Sequence, residues 1–507
     1  MINLQLTGYQ DNAVLKFLEN KRLLVALPPG TGKTVVALDA IQKVKKINPK
    51  IKILITVPAN LRDNFVDNIV QFSLKIKASI ITNVDELRNI KTSIVIVSYN
   101  FLNNHIEDFL SIDFKMLICD EFHYSKNLQS KNFQNLFKLS KNSEYVLGLT
   151  ASPYSNTPLE FFTLISVIAA DKSILNKWQN FVKYDYAVKP NLILRILFGK
   201  KYSGKFPAAL TNINEFKRTF GQYLFIVSEK TLNKDVRFKN RPIPISKIIK
   251  IKISNYETNV YKYALKEIPK TLLRLLELNQ ISTHQLAEIK NQIMAVQQIL
   301  LTPDYIKKNE IPKEPGTKMK FVAKQLKENG RKSLIFTPFL LRGAIVMNDL
   351  LNSMGVKSAL YAGQIDKDER RKIVNRFEKG DLQAICMTTA GMEGINLPSC
   401  QDVWLLSLVW NPEVLNQVIG RALRITSSNK SINVYWVFAL QNNGKDTIDE
   451  WMNEVLRRKQ LFRDSIFKAL GESMSVAGLT SYATYEPVGG KKDKNKILQT
   501  YYPNQER

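Results

Sequence analysis

Short apolar, β-branched runs recur along the chain, each closed by a polar cluster and followed by apolar positions at helical spacing. In the first part these runs are Arg22 to Leu27, Ile51 to Val57, Ser93 to Val97, Lys115 to Cys119 and Tyr145 to Leu149. Helical spacing joins them at Val35 to Ile41 and at Phe65, Ile69 and Phe72, and a further helix through Val14, Phe17 and Leu18 precedes the first strand. Strands alternating with helices predict a parallel, doubly wound sheet. From Asp171 to about Pro315 the alternation stops. That stretch is basic, with helical spacing at Ile268, Leu272, Leu275 and Leu276 and again at Ile289, Ile293, Val296 and Ile299, interrupted by a strand-like run from Ile243 to Ile253. A second alternating unit opens at Gly316-Thr317-Lys318, with strands ending at Thr337, before Tyr361 and at Met387, and a helix through Arg370, Ile373 and Phe377.

The pattern predicts an α/β protein with two parallel-sheet domains in tandem, residues 1–169 and 316–442, and a mainly helical insertion or linker, 170–315, between them. Residues 443–507 form a short C-terminal extension. Its helix through Ile448, Trp451 and Val455 is expected to dock on the second domain, and the basic segment Gly489 to Lys496 is expected to be solvated.

Ligands of such sheets gather beyond the carboxyl ends of the strands, and the polar clusters fall there. Ala26 to Thr34 reads as a strand end, a glycine-bearing turn and a helix start, which places free backbone N–H groups around an anion. Pro29, Gly30, Thr31 and Gly32 would form a phosphate cradle, Lys33 would reach the β- and γ-phosphates of ATP, and the Thr34 hydroxyl would hold Mg²⁺. The motif departs from the usual G-x-x-x-x-G-K-[ST] in having Leu27 at the first glycine. Upstream, Tyr9 and Gln10 are candidates for adenine contact, because an amide can pair with N6 and N7. Asp120 is placed to bind Mg²⁺ and Glu121 to orient and deprotonate the attacking water. His123, Thr150 and Ser152 are candidates for coupling the nucleotide state to the rest of the domain.

Small hydroxyls, amides and backbone N–H groups suit phosphodiester contacts. They fall at Pro58, Asn60, Ser98 and Tyr99 in the first domain and at Thr337, Gly363, Thr388 and Thr389 in the second. Arg421 and Arg424 are three apart and share one helix face, so both can point across a cleft at transition-state charge.

In this order the phosphate loop, Val57-Pro58, Ser98-Tyr99, Asp120 to Asn127 and Leu149 to Asn156 resemble the superfamily-two helicases. The Lys126-Asn127 ending, the Pro153 to Asn156 extension and Trp410-Asn411-Pro412 resemble their Swi/Snf type in particular. The resemblance covers nearly all of Leu6 to Leu440. It implies two RecA-like lobes that sandwich ATP, with Gly394, Asn396 and Gln417 adding nucleotide contacts from the second lobe and Trp410 a coupling role. It also implies double-stranded DNA as partner, with one strand tracked, and a helical linker between the lobes.

A net charge of +28 favours a polyanionic partner, although charge alone does not separate DNA, RNA and anionic membrane. Cys119, Cys386 and Cys400 are scattered, which supports neither a disulfide framework nor a structural metal. The sequence starts without a signal-peptide pattern and has no apolar run long enough for a bilayer, so a cytoplasmic location in a bacterial or phage-infected cell, no membrane partner and a monomeric state are expected. The functional expectation is an ATP-dependent DNA translocase or helicase acting on branched or forked DNA in recombination, replication or repair. The alternatives are a motor that displaces proteins such as RNA polymerase, and a nucleic-acid-binding protein with a decayed ATPase.

Overall fold

The computed structural model describes residues 6–28, 30–71, 77–151, 153–154, 157–186, 205–227, 229–232, 241–265, 283–303, 314–392, 395–424 and 427–471. Seven strands form the first sheet: β1 (Arg22–Ala26), β2 (Ile53–Val57), β3 (Ala78–Ile81), β4 (Ile94–Ser98), β5 (Met116–Cys119), β6 (Tyr145–Thr150) and, later in the chain, β9 (Leu224–Ile226). Their order is β3-β4-β2-β5-β6-β1-β9, and every pair is parallel.

The strands are Val/Ile/Leu-rich because both faces are covered. Leu24, Leu54, Val95 and Leu117 enter one core with the helices Lys131–Asn142 and Pro158–Ala169. Val25, Ile55, Ile96 and Ile118 enter the other with the helices Gly8–Asn20 and Lys33–Ile47.

The second sheet has six parallel strands in the order β10-β15-β14-β11-β13-β12: β10 (Ile243–Lys252), β11 (Ser333–Phe336), β12 (Ser358–Tyr361), β13 (Ala384–Met387), β14 (Asp402–Leu405) and β15 (Ser431–Leu440). The two sheets are the parallel-sheet domains expected from the alternation, in the tandem arrangement that the resemblance implies.

The middle stretch differs from the expected helical insertion. β7 (Val182–Tyr186) and β8 (Lys205–Leu210) form an antiparallel pair, β9 extends the first sheet beside β1, and β10 extends the second beside β15. The sheets therefore reach past the boundaries placed at 169 and 315. β9 is three residues long, too short to show a period, and β10 finds its partner in a strand that starts at Ser431. Helical structure is present at 255–265 and Thr283–Ile299, with Ile293, Val296 and Ile299 buried; the Ile268 to Leu276 pattern lies outside the described residues.

The C-terminal helix, Ile448–Ala469, does more than dock on the second lobe. Ile448, Trp451, Met452 and Leu456 pack in the second lobe's core, whereas Phe462, Ile466 and Phe467 pack in the first lobe's core. Its 22 residues span about 33 Å, enough to bridge the lobes. Phe462 lies 5.0 Å from the ring of Tyr154, and Ser465 Oγ accepts from Leu210 N at 2.9 Å. Between them Arg463 Nη1 pairs with Glu413 Oε1 at 3.0 Å, both side chains at most 10% exposed. At the other end of the helix, Lys318 Nζ donates to Asp449 Oδ2 at 2.7 Å in a fully enclosed pair. The expected basic tail lies outside the described residues.

Candidate active site between the two lobes

β1 ends at Ala26, and the chain turns through Gly30 (φ 76°) and Gly32 (φ 87°) into the helix Lys33–Ile47, with Gly32 as its N-cap. Both glycines hold left-handed backbone that a side chain would strain, and a Cβ at Gly32 would run into the amide of Gln10. The first turn of this helix thus presents unpaired N–H groups, the geometry an anion requires. Leu27 replaces the usual first glycine because its side chain is core: it is fully buried, and its N–H donates to the Thr150 carbonyl at 3.1 Å.

Tyr9 Oη and Gln10 Nε2 both donate to the Thr31 carbonyl, at 2.7 and 2.9 Å, and Gln10 Oε1 accepts from Thr7 N at 2.9 Å. Both ends of the Gln10 amide face protein here, so the pair holds the phosphate loop in shape instead of offering a free amide edge to adenine. Lys33 Nζ lies 3.5 Å from the Leu27 carbonyl, inside the loop. Pro29 lies outside the described residues.

The carboxylates follow β5. Asp120 is anchored by its N–H to the Thr56 carbonyl (2.8 Å), and its own carbonyl accepts from Tyr99 Oη at 2.7 Å. Glu121 adopts φ 46°, a conformation rare for a residue with a side chain and costing about 1–3 kcal/mol. That turn swings its carboxylate toward His123, whose Nδ1 is 3.3 Å from Glu121 Oε2. Burial and the adjacent Glu121 push the Asp120 carboxyl up, against Lys33. Burial also opposes ionisation of Glu121, but Lys33, His123 and Arg421 outweigh it and hold that carboxyl well down. Glu121 therefore stays ionised and is suited to accept a proton from water.

The Thr34 hydroxyl and Asp120 carboxylate are hard oxygen donors of the kind Mg²⁺ takes, and two such ligands fit an ion whose other positions go to water and phosphate. The ion would neutralise developing phosphate charge there.

The second lobe reaches this loop through its arginine helix, Pro412–Ala422. Arg424 Nη1 lies 2.9 Å from where a Gly30 Cβ would sit. The buried Nε of Arg424 has no hydrogen-bond partner among the described residues. Burial, Arg421 and Arg241 lower its pKa to about 10. Arg421 acts on Glu121 electrostatically and is held by its own carbonyl, which accepts from Leu397 N at 3.0 Å. The two arginines do not share a helix face as expected: Arg421 is in the helix, whereas Arg424 follows its C-cap, Leu423, and it is from there that Arg424 reaches Gly30.

Gln417 is half-buried one turn ahead of Arg421, and Asn396 is exposed; Gly394 and Ser152 lie outside the described residues. Trp410 packs edge-on against Trp451 of the C-terminal helix at 5.4 Å. Thr150 is fully buried at the end of β6. Arg241 escaped the sequence reading, since a lone arginine ahead of a strand carries no motif.

The candidate nucleic-acid residues do sit at strand ends, but several are turned inward. Ser98 caps a short helix, its Oγ accepting from Phe101 N at 3.3 Å. Tyr99 is 4% exposed, and its hydroxyl is committed to the Asp120 carbonyl. Thr337 is buried, with its Oγ1 accepting from Phe339 N, and Pro58 and Thr388 are buried as well. Their side chains build the strand-end loops. Gly363 is exposed, Thr389 is half-buried, and the Asn60 side chain lies outside the described residues. Tyr124, 44% exposed and stacked 5.9 Å from Tyr99, presents the ring that Tyr99 does not.

A model described as the SNF2-related domain matches residues 10–305, and one described as the helicase conserved C-terminal domain matches 317–426. The chain belongs to the SNF2-related family. It is 26% identical over 456 residues to the Bacillus subtilis (strain 168) uncharacterized ATP-dependent helicase YqhH, covering 87% of this chain and 75% of that one. It is 25% identical over 395 residues to the Arabidopsis thaliana CHD3-type chromatin-remodeling factor CHR7, covering 74% of this chain but only 29% of the plant protein. The helicase domain of Pyrococcus furiosus Hef superposes with a TM-score of 0.52 at 16% identity, covering 89% of this chain and 98% of that one. The SNF2-related chain thus has two RecA-like lobes, and it spans less than two thirds of the length of several of the curated relatives it matches. Among its described residues no helix is long and apolar enough to cross a membrane.

Proposed function

We propose that this chain is a DNA-dependent ATPase that converts ATP hydrolysis into movement along double-stranded DNA, one strand being tracked, with branched or forked DNA as its substrate. The observation that carries the reading is the position of Arg424 against Gly30, with Arg421 acting on Glu121. Hydrolytic groups are split between lobes, so a full site exists only when the lobes close. Lys33 and the loop N–H groups would hold the phosphates, Glu121 would take a proton from the attacking water, and Arg421 and Arg424 would meet the charge that develops on the transferred phosphoryl group. Opening after hydrolysis moves the strand-end loops of one lobe relative to the other, and differential grip in the two states gives a step. The net charge of +28 supports a polyanionic track.

The test is steady-state ATP hydrolysis with matched duplex, single-stranded DNA, four-way junction and RNA at two salt concentrations. Stimulation by junction above plain duplex is expected. Equal stimulation by any duplex would leave a general translocase that clears proteins, and stimulation by RNA alone would overturn the DNA reading.

A further inference from the structure

Arg241 lies where the chain passes from the first sheet, which it leaves after β9, to the second, which it enters at β10. It belongs to none of the motifs above. Its Nε donates to the Leu423 carbonyl at 3.5 Å. Leu423 is the C-cap residue of the arginine helix, where carbonyls have no helical N–H to accept from and where the helix dipole favours a cation. The next residue is Arg424, the group that lies against Gly30 of the phosphate loop. Arg241 is therefore one residue removed from the guanidinium that closes the site.

Three guanidinium groups gather here, since Arg241 and Arg421 both act on Arg424, with Lys33 in the loop opposite. Like charges gathered in this way repel one another. Glu121 offsets part of this for Lys33 and Arg421. The buried Nε of Arg424 is left without a hydrogen-bond partner among the described residues. A cluster of this composition suits a polyanion of several charges, and a nucleoside triphosphate supplies them.

We propose that Arg241 is a positioning residue for ATP hydrolysis: from the segment joining the lobes it holds the end of the arginine helix so that Arg424 meets the terminal phosphate. This inference rests on the ATPase reading above.

The experiment compares wild type, Lys33→Ala, Arg241→Gln and Arg241→Lys in ATP turnover and in binding of ADP with and without aluminium fluoride, which mimics the transferring phosphoryl group. Arg241→Gln is expected to lower kcat about ten- to a hundredfold, since removal of one stabilising donor costs about 10²–10³ and Arg241 acts at one remove. KM for ATP should change less than about threefold, and the preference for ADP–aluminium fluoride over ADP should fall by the same factor as kcat. Arg241→Lys, keeping the charge, should recover part of both. An unchanged kcat in Arg241→Gln, or equal loss of ADP and ADP–aluminium fluoride binding, would overturn the proposal. Should Arg241→Gln fold poorly, Arg241→Met, which also removes the charge and the donor, decides: wild-type kcat and wild-type preference in that variant overturn the proposal. A wild type without ATP turnover would sink the proposed function itself, whereas an inactive Lys33→Ala beside a wild-type-like Arg241→Gln would sink this inference alone.

Discussion

The enclosed pair Lys318–Asp449 offers a sharp test of what anchors the bridging helix. Lys318 has 0% and Asp449 2% of its side chain exposed, with 2.7 Å between Nζ and Oδ2. At an effective dielectric of ~20 their attraction is roughly 6 kcal/mol, and removing each ion from water costs several kcal/mol, so the intact pair contributes little net stability. Breaking it is another matter. Asp449 keeps two other stabilising features when Lys318 is replaced, the Ala439 N–H at 2.9 Å and its place in the first turn of a helix. Among the described residues Lys318 has no comparable support when Asp449 is replaced.

Lys318→Met is therefore expected to cost about 2–3 kcal/mol and Asp449→Asn about 3–5 kcal/mol, with the double variant well short of their sum. Burial already lowers the Lys318 pKa against the pull of Asp449. Without Asp449 the folded-state value drops further below its unfolded value, so the unfolded chain binds more protons across that window and stability rises with pH. Asp449→Asn should thus recover part of its loss between about pH 7 and about pH 9.5. Urea unfolding followed by tryptophan fluorescence reports on the right lobe, because Trp404, Trp410, Trp436 and Trp451 lie in or against its cores. A loss below about 1 kcal/mol in Asp449→Asn, or a loss that does not shrink on raising the pH, would refute the reasoning.

Glu121→Gln keeps the shape of the site but removes the proton acceptor, and ATP turnover is expected to fall by about 10²–10⁴ while nucleotide binding persists, as read by equilibrium titration. In Gly148→Ala the new methyl would sit 2.6 Å from Phe122 Cδ1 and 3.0 Å from Ile168 Cδ1, an overpacking that should cost about 1–3 kcal/mol in urea unfolding and disturb the Asp120-Glu121 turn. Arg22 donates to the carbonyls of Ser140, Ser143 and Ile168, so Arg22→Met should destabilise the first lobe by about 2–4 kcal/mol, and a change below 1 would show those carbonyls to be otherwise satisfied. Glu413→Gln should weaken the tie to Arg463 and increase amide hydrogen exchange along the arginine helix, with no increase expected in the helix Lys33–Ile47.

Local pattern determined a good deal about this protein. The runs of β-branched residues were enough to predict most strands, because a strand buried on both faces leaves a continuous apolar run. Phosphate loop, carboxylates and arginines were legible because their chemistry demands particular residue types at fixed spacing: glycine where φ is positive, a lysine at a helix start, carboxylates at a strand end, arginines three apart. What local pattern could not carry was direction and partnership at long range. Ser98, Tyr99 and Thr337 have the right chemistry for phosphate, yet their hydroxyls turn inward to Phe101 N, the Asp120 carbonyl and Phe339 N. Gln10 has the right amide for adenine, yet it braces the Thr31 carbonyl.

β9 and β10 join opposite sheets because each finds an open edge, β1 in one lobe and β15 in the other, and an edge is a property of the assembled sheet. The C-terminal helix shows an apolar stripe in sequence, but only the fold assigns its first half to one core and its second half to the other. Arg241 is the extreme case. Its significance comes entirely from lying beside Leu423 and Arg424, far along the chain, and proximity of that kind is decided by tertiary packing alone.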